Sequence, residues 1–378
     1  MLQYDKERES HSKNLKNLFH VERAPSDTYL RERLDLVDPK ELRSCYKKLF
    51  SAVQRGKYLE NYVHHQGNYL VSIIGTGYFS SKKIHCDQCC EKNHRDGSKT
   101  YHHQMLAAAL VHPDLKQVIP FAPEPISKQD GSNKNDCERN AAKRLLRDLR
   151  REHPHLSITI IEDALYANSP HLELLRELDM NYIIGVKPKD HTWLFDFVKS
   201  AHATSYSLTD DKGYQHHFRF VNDAPLNESH EDMRVNFLEY TEISPKGQKK
   251  SFTWVTDFTL TEKTVHSIMR GGRARWKIEN ETFNTLKNQG YQFEHNFGHG
   301  YENLSHVFAN LIMIAFLADQ IQAMTCPLFQ AALAKEKSLT SVWRRTIAFF
   351  QMLIIDGWDS LYKAIAQWSG PIAALDTS

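Results

Sequence analysis

The sequence predicts an α/β protein, with helices on both faces of a mixed sheet and helical regions at both ends. Between residues 67 and 190, strand-like runs rich in β-branched residues alternate with helix-like segments. Such alternation is typical of a sheet covered by helices. Long apolar helical patterns then dominate the end of the chain. At 378 residues the chain can form one large domain with insertions or two domains.

The N-terminal region, residues 1–66, is polar and helical in pattern. Residues 25–27 (Pro-Ser-Asp) form a helix start signal. Three leucines provide its apolar anchors: Leu36, Leu42 and Leu49.

The predicted core begins with residues 67–190. Its expected elements are a strand (69–79), a hairpin (104–112 and 117–121), a helix that Asn135 or Asp136 caps and that ends near Arg151, a strand (156–161), a helix (169–178) and a strand (181–186). The predicted elements therefore follow the order of the ribonuclease H-like fold: three strands, then a helix, a strand, a second helix and a last strand.

The remaining chain divides into three predicted parts. Residues 191–250 are polar and form an insertion that we expect to be β-rich. Residues 251–325 complete the core with a strand at 251–256 and a late helix, and residues 326–378 form a helical C-terminal region. The apolar helices at 303–324 and 339–355 have too many polar residues for a bilayer by their sequence.

Composition restricts the function only loosely. The net charge of +2 and pI near 8.1 are too mild to establish a nucleic-acid partner, although basic clusters occur at 143–151, 246–250 and 270–277. A solvated helix face explains the first cluster at least as well. We find no signal peptide in the sequence, so we expect a cytoplasmic protein.

Residues 270–287 are the most informative segment. We predict one helix with these basic residues: Arg270, Arg273, Arg275, Lys277 and Lys287. Trp276, Phe283 and Leu286 recur at helical spacing and define an apolar face. This combination predicts a basic helix that packs against the core.

Two glutamates lie within this predicted helix. At about 100° per residue, Glu279 lies on the inward face and Glu281 points away, so we expect Glu281 to be the exposed one. Acids are rarely buried unless they are paired. Glu279 therefore either forms a structural salt bridge with Arg275 or is a functional carboxylate.

Asp163 is the second candidate carboxylate. It follows the strand at 156–161, where open α/β sheets bind ligands. In the ribonuclease H-like fold, acids at the first strand, the fourth strand and a late helix converge on two divalent cations, which matches Asp163 and Glu279. As a single residue, Asp163 could equally cap the following helix. We expect Asp163 and Glu279 to lie close together.

The motifs around these residues resemble a known family. Residues 275–279 (Arg-Trp-Lys-Ile-Glu), continued by Phe283 and Lys287, are similar to the Tyr-x2-Arg-x3-Glu-x6-Lys signature of IS4-like DDE transposases of bacterial insertion sequences. Residues 161–168 resemble the segment with their second catalytic aspartate, and further similar stretches are 25–33, 103–104 and 296–300. The resemblance covers roughly residues 12 to 325.

The resemblance implies site residues. Asp163 and Glu279 would be catalytic and would bind Mg²⁺ or Mn²⁺. Arg275 and Lys287 would bind DNA phosphates, with three neighbours as further DNA-binding candidates: Arg273, Trp276 and Lys277. The partner would be double-stranded DNA, both transposon ends and target, and the active complex a homodimer.

The sequence also departs from the family pattern. The family has Asp-Gly-Thr at the tip of the first strand, whereas this chain has Ile74, Gly75 and Thr76. Lys287 is one residue further from Glu279 than the signature requires, and Gly272 matches its Tyr. The chain also starts where such proteins are already under way, which leaves open whether an N-terminal DNA-binding segment is missing.

A cysteine cluster provides a separate candidate site. Cys86 and Cys89 have the spacing of half a tetrahedral zinc site, and His94 and His103 are candidate partners. Zinc binding and a loop of reduced cysteines are the two alternatives.

The expected function is that of a DDE transposase, which cleaves transposon ends and joins the freed 3′-hydroxyl to target DNA. Because an isoleucine binds no metal, Ile74 leaves open whether this chain is active. The alternatives are a non-catalytic or repurposed DNA-binding protein on the same fold and a metal-dependent nuclease, since one two-metal site can hydrolyse and transesterify.

Overall fold

The β-branched runs of the chain pair into one mixed sheet. The computed structural model describes residues 2–128, 137–228 and 230–370. Within these ranges the sheet has eleven strands: β1 (Tyr69–Ser81), β2 (Cys90–Asn93), β3 (Lys99–Val111), β4 (Ile119–Pro120), β5 (Glu124–Ile126), β6 (Ile158–Glu162), β7 (Asn181–Gly185), β8 (Thr204–Thr209), β9 (Gln215–Asn227), β10 (His230–Ile243) and β11 (Lys249–Thr256). Their order is β2-β3-β1-β6-β7-β11-β10-β9-β8, and β4 and β5 pair with β3.

The centre of the sheet is parallel. β6 pairs in parallel with β1 on one side and with β7 on the other. All five residues of β6 are buried, as expected for a strand covered on both faces. The outer pairs, β1 with β3 and β7 with β11, are antiparallel.

Thirteen α-helices occur in the described ranges. They are α1 (Leu2–Ser10), α2 (Ser12–Phe19), α3 (Asp27–Asp35), α4 (Arg43–Arg55), α5 (Glu138–Glu152), α6 (Ser169–Glu177), α7 (Thr192–Ser200), α8 (Val265–Arg273), α9 (Asn284–Asn288), α10 (Leu304–Thr325), α11 (Pro327–Glu336), α12 (Leu339–Met352) and α13 (Trp358–Gln367). Short 3₁₀ turns occur at Pro39–Leu42, Tyr58–Tyr62 and Ala164–Tyr166, and a π-helical turn at Ile278–Phe283.

The chain forms two compact units. The sheet unit is the continuous segment Arg43–Asn284, and the helical unit combines the residues up to Leu42 with those from Thr285 onward. The helical unit has its own core, in which Leu18 packs with residues of α11 to α13 such as Phe329 and Tyr362. The Asn14 side chain donates to the Phe350 carbonyl at 2.8 Å. Both ends of the chain thus share one core.

The N-terminus of α10 is fixed within the helical unit. The Asp35 carboxylate accepts hydrogen bonds from the backbone N–H groups of Tyr301, Glu302, Asn303 and Leu304, at 2.7 to 3.0 Å. Burial raises the pKa of this carboxyl, but the four amide donors outweigh that effect and hold it below the usual value.

The structure confirms the predicted fold class, an α/β mixed sheet with terminal helices. The β-rich segment does not form a separate layer: β8 to β10 extend the same sheet through β11. The proposed helix caps Asn135 and Asp136 lie outside the described residues. α10 is more apolar than expected: by length and composition alone it could cross a bilayer, a property that core helices of soluble proteins share.

Candidate functional site

Asp163 lies at the carboxyl end of β6. Its side chain is exposed, and it accepts a hydrogen bond from the Leu165 backbone N–H at 3.0 Å, capping the 3₁₀ turn at Ala164–Tyr166. The capping role considered from the sequence is therefore present. An exposed carboxylate in this position keeps oxygen lone pairs for a further partner.

Ile74 and Asp163 both lie two residues beyond the last paired residues of β1 and β6. Ser72 of β1 is opposite Ile161 of β6 in the parallel ladder. Two residues further along each strand come Ile74 and Asp163, and residues two apart share one face of a sheet. Continuation of this register by two residues would direct Ile74 toward the candidate carboxylate.

Asp163 and the basic segment line the same cleft. This cleft of about 350 Å³ is bordered by Asp163, Lys187, Arg273, Arg275 and Trp276. The Ser72 hydroxyl donates to the Arg275 backbone carbonyl at 3.0 Å and thereby joins β1 to this segment. An acid and several cations therefore meet at the carboxyl edge of the parallel strands.

Two glycines let α8 approach the sheet closely. An added Cβ on Gly272 would lie 2.6 Å from Trp254 of β11, and one on Gly271 would lie 2.9 Å from Ile183 of β7. The tyrosine of the family signature would not fit at position 272 unless the indole moved. Close packing here holds Arg273 and Arg275 at the cleft.

The predicted continuous helix over residues 270–287 is wrong. α8 ends at Arg273, and a tight turn at Ala274 and Arg275 leads into the π-helical turn Ile278–Phe283 and then α9. π-Helical turns are rare and occur frequently at functional sites. The buried Ile278 and Phe283 anchor this turn, which packs against β1 and β3.

The expectation for the two glutamates is also wrong. Glu279 is exposed and Glu281 is only partly exposed. A π-helical turn advances each residue by less than an α-helix does, because its hydrogen bonds span five residues. Positions calculated at 100° per residue therefore fall on the wrong faces. Glu279 is outside the residues that line the cleft of Asp163.

The described residues show no salt bridge between Arg275 and Glu279. The Arg275 guanidinium instead lies 4.5 Å from the centre of the Trp276 ring, and this indole is 49% exposed. A stacked arginine and an exposed indole are groups that nucleic-acid phosphates and bases can contact.

The other candidate DNA-binding residues have protein partners. Arg273 pairs with Glu242 at 2.8 Å, and its guanidinium lies over Phe252. The Lys277 ammonium donates to the Leu115 carbonyl at 2.8 Å. In the helical unit, Lys287 pairs with Glu294 at 2.9 Å.

Sequence analysis missed Glu138, the first residue of α5. Its carboxylate lies against Gly75 of β1, where an added Cβ would be 2.4 Å from Oε1, and it accepts from the Tyr166 hydroxyl at 3.4 Å. Burial raises the pKa of Glu138, the Tyr166 hydrogen bond opposes this rise, and the negative Asp163 adds to it. No sequence spacing links Glu138 to the site, because the N-terminus of α5 approaches β1 only through the packing of this helix on the sheet.

The cysteine cluster is on the sheet unit. Cys86 and Cys89, in the loop before β2, lie with His103 of β3. His94 has a different neighbour, since its Nε2 atom lies 2.6 Å from the Thr100 hydroxyl.

Comparison with known families decides the assignment. Residues 80–318 match the family described as the transposase DDE domain. The chain belongs to this family. The match begins after Ile74, so it does not cover positions 74–76, which lie in the middle of β1. A comparison with curated proteins found no match.

Membership of the DDE transposase family defines the general chemistry. DNA is the substrate of such transposases, and their domains generally use a divalent metal. Carboxylate oxygens are the ligands that hard divalent cations prefer. The exposed carboxylates of Asp163 and Glu279 have the donor chemistry that such a cation requires, and Ile74 does not.

Proposed function

We propose that this protein is the transposase of a bacterial insertion sequence of the IS4-like branch. Its reaction would cut transposon ends and join the freed 3′-hydroxyl to target DNA. The observation that supports this most is the cleft at the carboxyl edge of the parallel strands, which Asp163, Arg275 and Trp276 line. Ligands of open α/β sheets bind at this edge. We expect the protein in the cytoplasm, where bacterial DNA lies.

Asp163 and Glu279 are the proposed catalytic metal ligands. Two Mg²⁺ or Mn²⁺ ions bound there would activate the attacking oxygen and stabilise the leaving oxygen. The packing of the π-helical turn against β1 supports an approach of Glu279 toward the strand beside Asp163. Both side chains are exposed and thus accessible to a cation and to DNA.

Arg275 is the proposed primary contact to DNA phosphate. Its stacking on Trp276 restricts its rotamers, so less side-chain entropy is lost when it binds. Lys187 lines the same cleft. Arg273, Lys277 and Lys287 would need to exchange their present partners to bind DNA. We propose that two copies of the chain act together on double-stranded DNA.

A second candidate function follows from Ile74. A hydrocarbon side chain beside Asp163 offers no ligand atom, so the chain as it stands would bind DNA without cutting it efficiently. A repressor of transposition or a repurposed DNA-binding protein would have these properties. Retention of Asp163 and Glu279 favours the transposase origin of this site.

A metal-dependent nicking assay tests both candidates. Purified parent, Ile74→Asp and the double variant Ile74→Asp/Asp163→Asn are incubated with supercoiled plasmid and Mg²⁺ or Mn²⁺. We expect little nicking by the parent, a clear gain in Ile74→Asp, and loss of that gain in the double variant. Ile74→Asn is the matched control, because it adds a polar side chain without a charged ligand.

The outcomes separate the two candidates. Strong nicking by the parent would mean that another acid takes the first position. Absence of any gain in a folded Ile74→Asp variant, with DNA binding retained, would favour the non-catalytic function. A gain that survives Asp163→Asn would contradict the proposed role of Asp163.

A further inference from the structure

Three metal-ligating side chains meet on the sheet unit, outside the proposed catalytic cleft. The Cys86 and Cys89 sulfurs are 3.8 Å apart, and the Nε2 atom of His103 lies 3.3 Å from each of them. The three atoms thus form an isosceles triangle with the two sulfurs at its longer side. All six cysteines of the chain are free, so this sulfur pair is not a disulfide.

The triangle has the dimensions of one face of a tetrahedral zinc site. With Zn–S near 2.3 Å and Zn–N near 2.0–2.1 Å, tetrahedral angles set the S···S distance at about 3.8 Å and each S···N distance at about 3.6 Å. The observed sulfur distance agrees with this value, and the two S···N distances are shorter by a few tenths of an ångström. Soft thiolates and imidazole are also the ligand types that zinc prefers.

The local backbone is arranged for this geometry. The Cys89 N–H donates to the Cys86 carbonyl at 3.1 Å, which closes a tight turn between the two cysteines. The Cys86 N–H in turn points at the Cys89 sulfur at 3.4 Å, a contact that stabilises thiolate character. The turn therefore directs both sulfurs to the same side.

Rigid elements hold the third ligand. His103 is in the middle of β3 and fully buried, and its ring stacks on Tyr78 of β1 with centroids 5.8 Å apart. Cys89 is also fully buried. The Cys89 sulfur and the Tyr78 ring fix the orientation of the His103 ring before any ion binds. Less conformational entropy is therefore lost when the ion binds.

We propose that Cys86, Cys89 and His103 bind a structural zinc ion, which ties the loop between β1 and β2 to β3. A tetrahedral ion has a fourth position, which a water molecule or another side chain occupies. His94 is not a ligand in this proposal, because its ring contacts Thr100. The site is independent of the proposed transposase reaction, since it lacks the carboxylates that phosphoryl transfer requires.

Metal analysis of the full chain tests this site. Protein is purified, dialysed against Zn²⁺ and then freed of excess ion, and its zinc is measured by mass spectrometry. We expect about one zinc per chain for the parent. The variants Cys86→Ser and Cys89→Ser should lose most of it, while the controls His94→Ala and Cys137→Ser should keep it.

A second measurement on the parent avoids variants that fail to fold. Replacement of zinc by Co²⁺ should produce the intense charge-transfer absorption of thiolate ligands, and a strong chelator should remove it and lower the melting temperature. A parent that stays metal-free and shows no cobalt spectrum overturns the proposal, as does zinc retained equally by all four variants. Loss of zinc in His94→Ala alone would contradict the ligand set. Nicking activity plays no part in these readouts.

Discussion

At the scale of single residues, the site depends on close contacts that few positions permit. Gly75 has no side chain, and the Glu138 carboxylate uses the space above it. Arg275 has an aromatic partner instead of an acidic one. Both features can be tested by single substitutions.

Gly75→Ala should destabilise the protein. The new Cβ would lie 2.4 Å from Glu138 Oε1, so the carboxylate or the strand must move. Because this oxygen is the end of a flexible side chain that can change its rotamer, we expect a loss at the low end of that for overpacked sites, about 1 kcal/mol in the free energy of unfolding. Gly77→Ala is the matched control, since its Cβ would meet its nearest atom at 3.8 Å. In the double variant Gly75→Ala/Glu138→Ala, most of the loss should disappear; equal losses in the single and double variants would contradict this contact.

Arg275→Ala should weaken binding to transposon-end DNA. Loss of one phosphate contact reduces the slope of log K against log salt by about 0.9. Binding measured by fluorescence anisotropy at several salt concentrations gives this slope. Arg151→Ala serves as control, because Arg151 is exposed on α5 and pairs with Asp148. Equal slopes for the parent and Arg275→Ala would remove Arg275 from the interface.

At the scale of elements, sequence periodicity predicted the regular parts and failed where hydrogen bonding changes. The parallel strands β6 and β7 match the β-branched runs that predict them within two residues at each end. The π-helical turn was not predictable, because its i→i+5 bonds depend on packing against β1 and β3 rather than on a repeat of apolar residues. The wrong prediction of which glutamate is exposed, Glu279 or Glu281, is a consequence of this unpredicted turn.

The start of α10 shows how one side chain can fix an element. Asp35→Ala removes the acceptor of four backbone N–H groups. The Leu304 N–H is buried, and a buried donor without a partner costs about 1–3 kcal/mol, whereas water can reach the other three, so the melting temperature should fall by several degrees. Asp38→Ala, which removes the acceptor of one N–H in a short turn, should change it little.

The Asp35 carboxylate should also make the free energy of unfolding depend on pH in acid. Its folded-state pKa is lowered, so its stabilisation is present above the unfolded pKa of about 3.9 and is lost as pH falls below it. Denaturant titrations at pH 7 and near pH 3 should show a smaller pH effect in Asp35→Asn than in the parent. An unchanged pH effect would contradict this role.

At the scale of the whole molecule, the sequence reveals the order of the elements but not every contact between distant parts of the chain. The fold class of the sheet unit followed from the order of strands and helices. The contact of Glu138 with Gly75 did not, because it depends on the placement of α5 against β1. The sequence did name His103 as a candidate partner of Cys86, but it could not choose between His103 and His94. Pattern analysis locates elements along the chain but not their neighbours.

The helical unit should lose stability between about pH 4 and pH 7. Burial raises the pKa of Asp319 on α10 to about 7, and its hydrogen bond from Tyr291 opposes this only partly. Because the folded-state pKa exceeds the unfolded value of about 3.9, the stabilisation is complete below that value and is lost as pH rises through the folded pKa. Thermal unfolding of Asp319→Asn should lack this decline. Asp359→Asn on α13 is the control, and a decline of equal size in Asp319→Asn would refute the assignment.

The composition of the helical unit from both ends of the chain has a consequence for synthesis on the ribosome. The 242 residues from Arg43 to Asn284 separate its two parts. At about 5–20 residues per second, roughly 10–50 s pass between the emergence of α1 to α3 and that of the segment with which they share a core. During this interval Leu18 and its neighbours have no partner for their apolar side chains, while the sheet unit, a single continuous segment, can already fold. A chain whose synthesis stops before Thr285 would thus present a complete sheet unit together with polar N-terminal helices that have no core to pack on, the kind of species that chaperones bind and proteases remove.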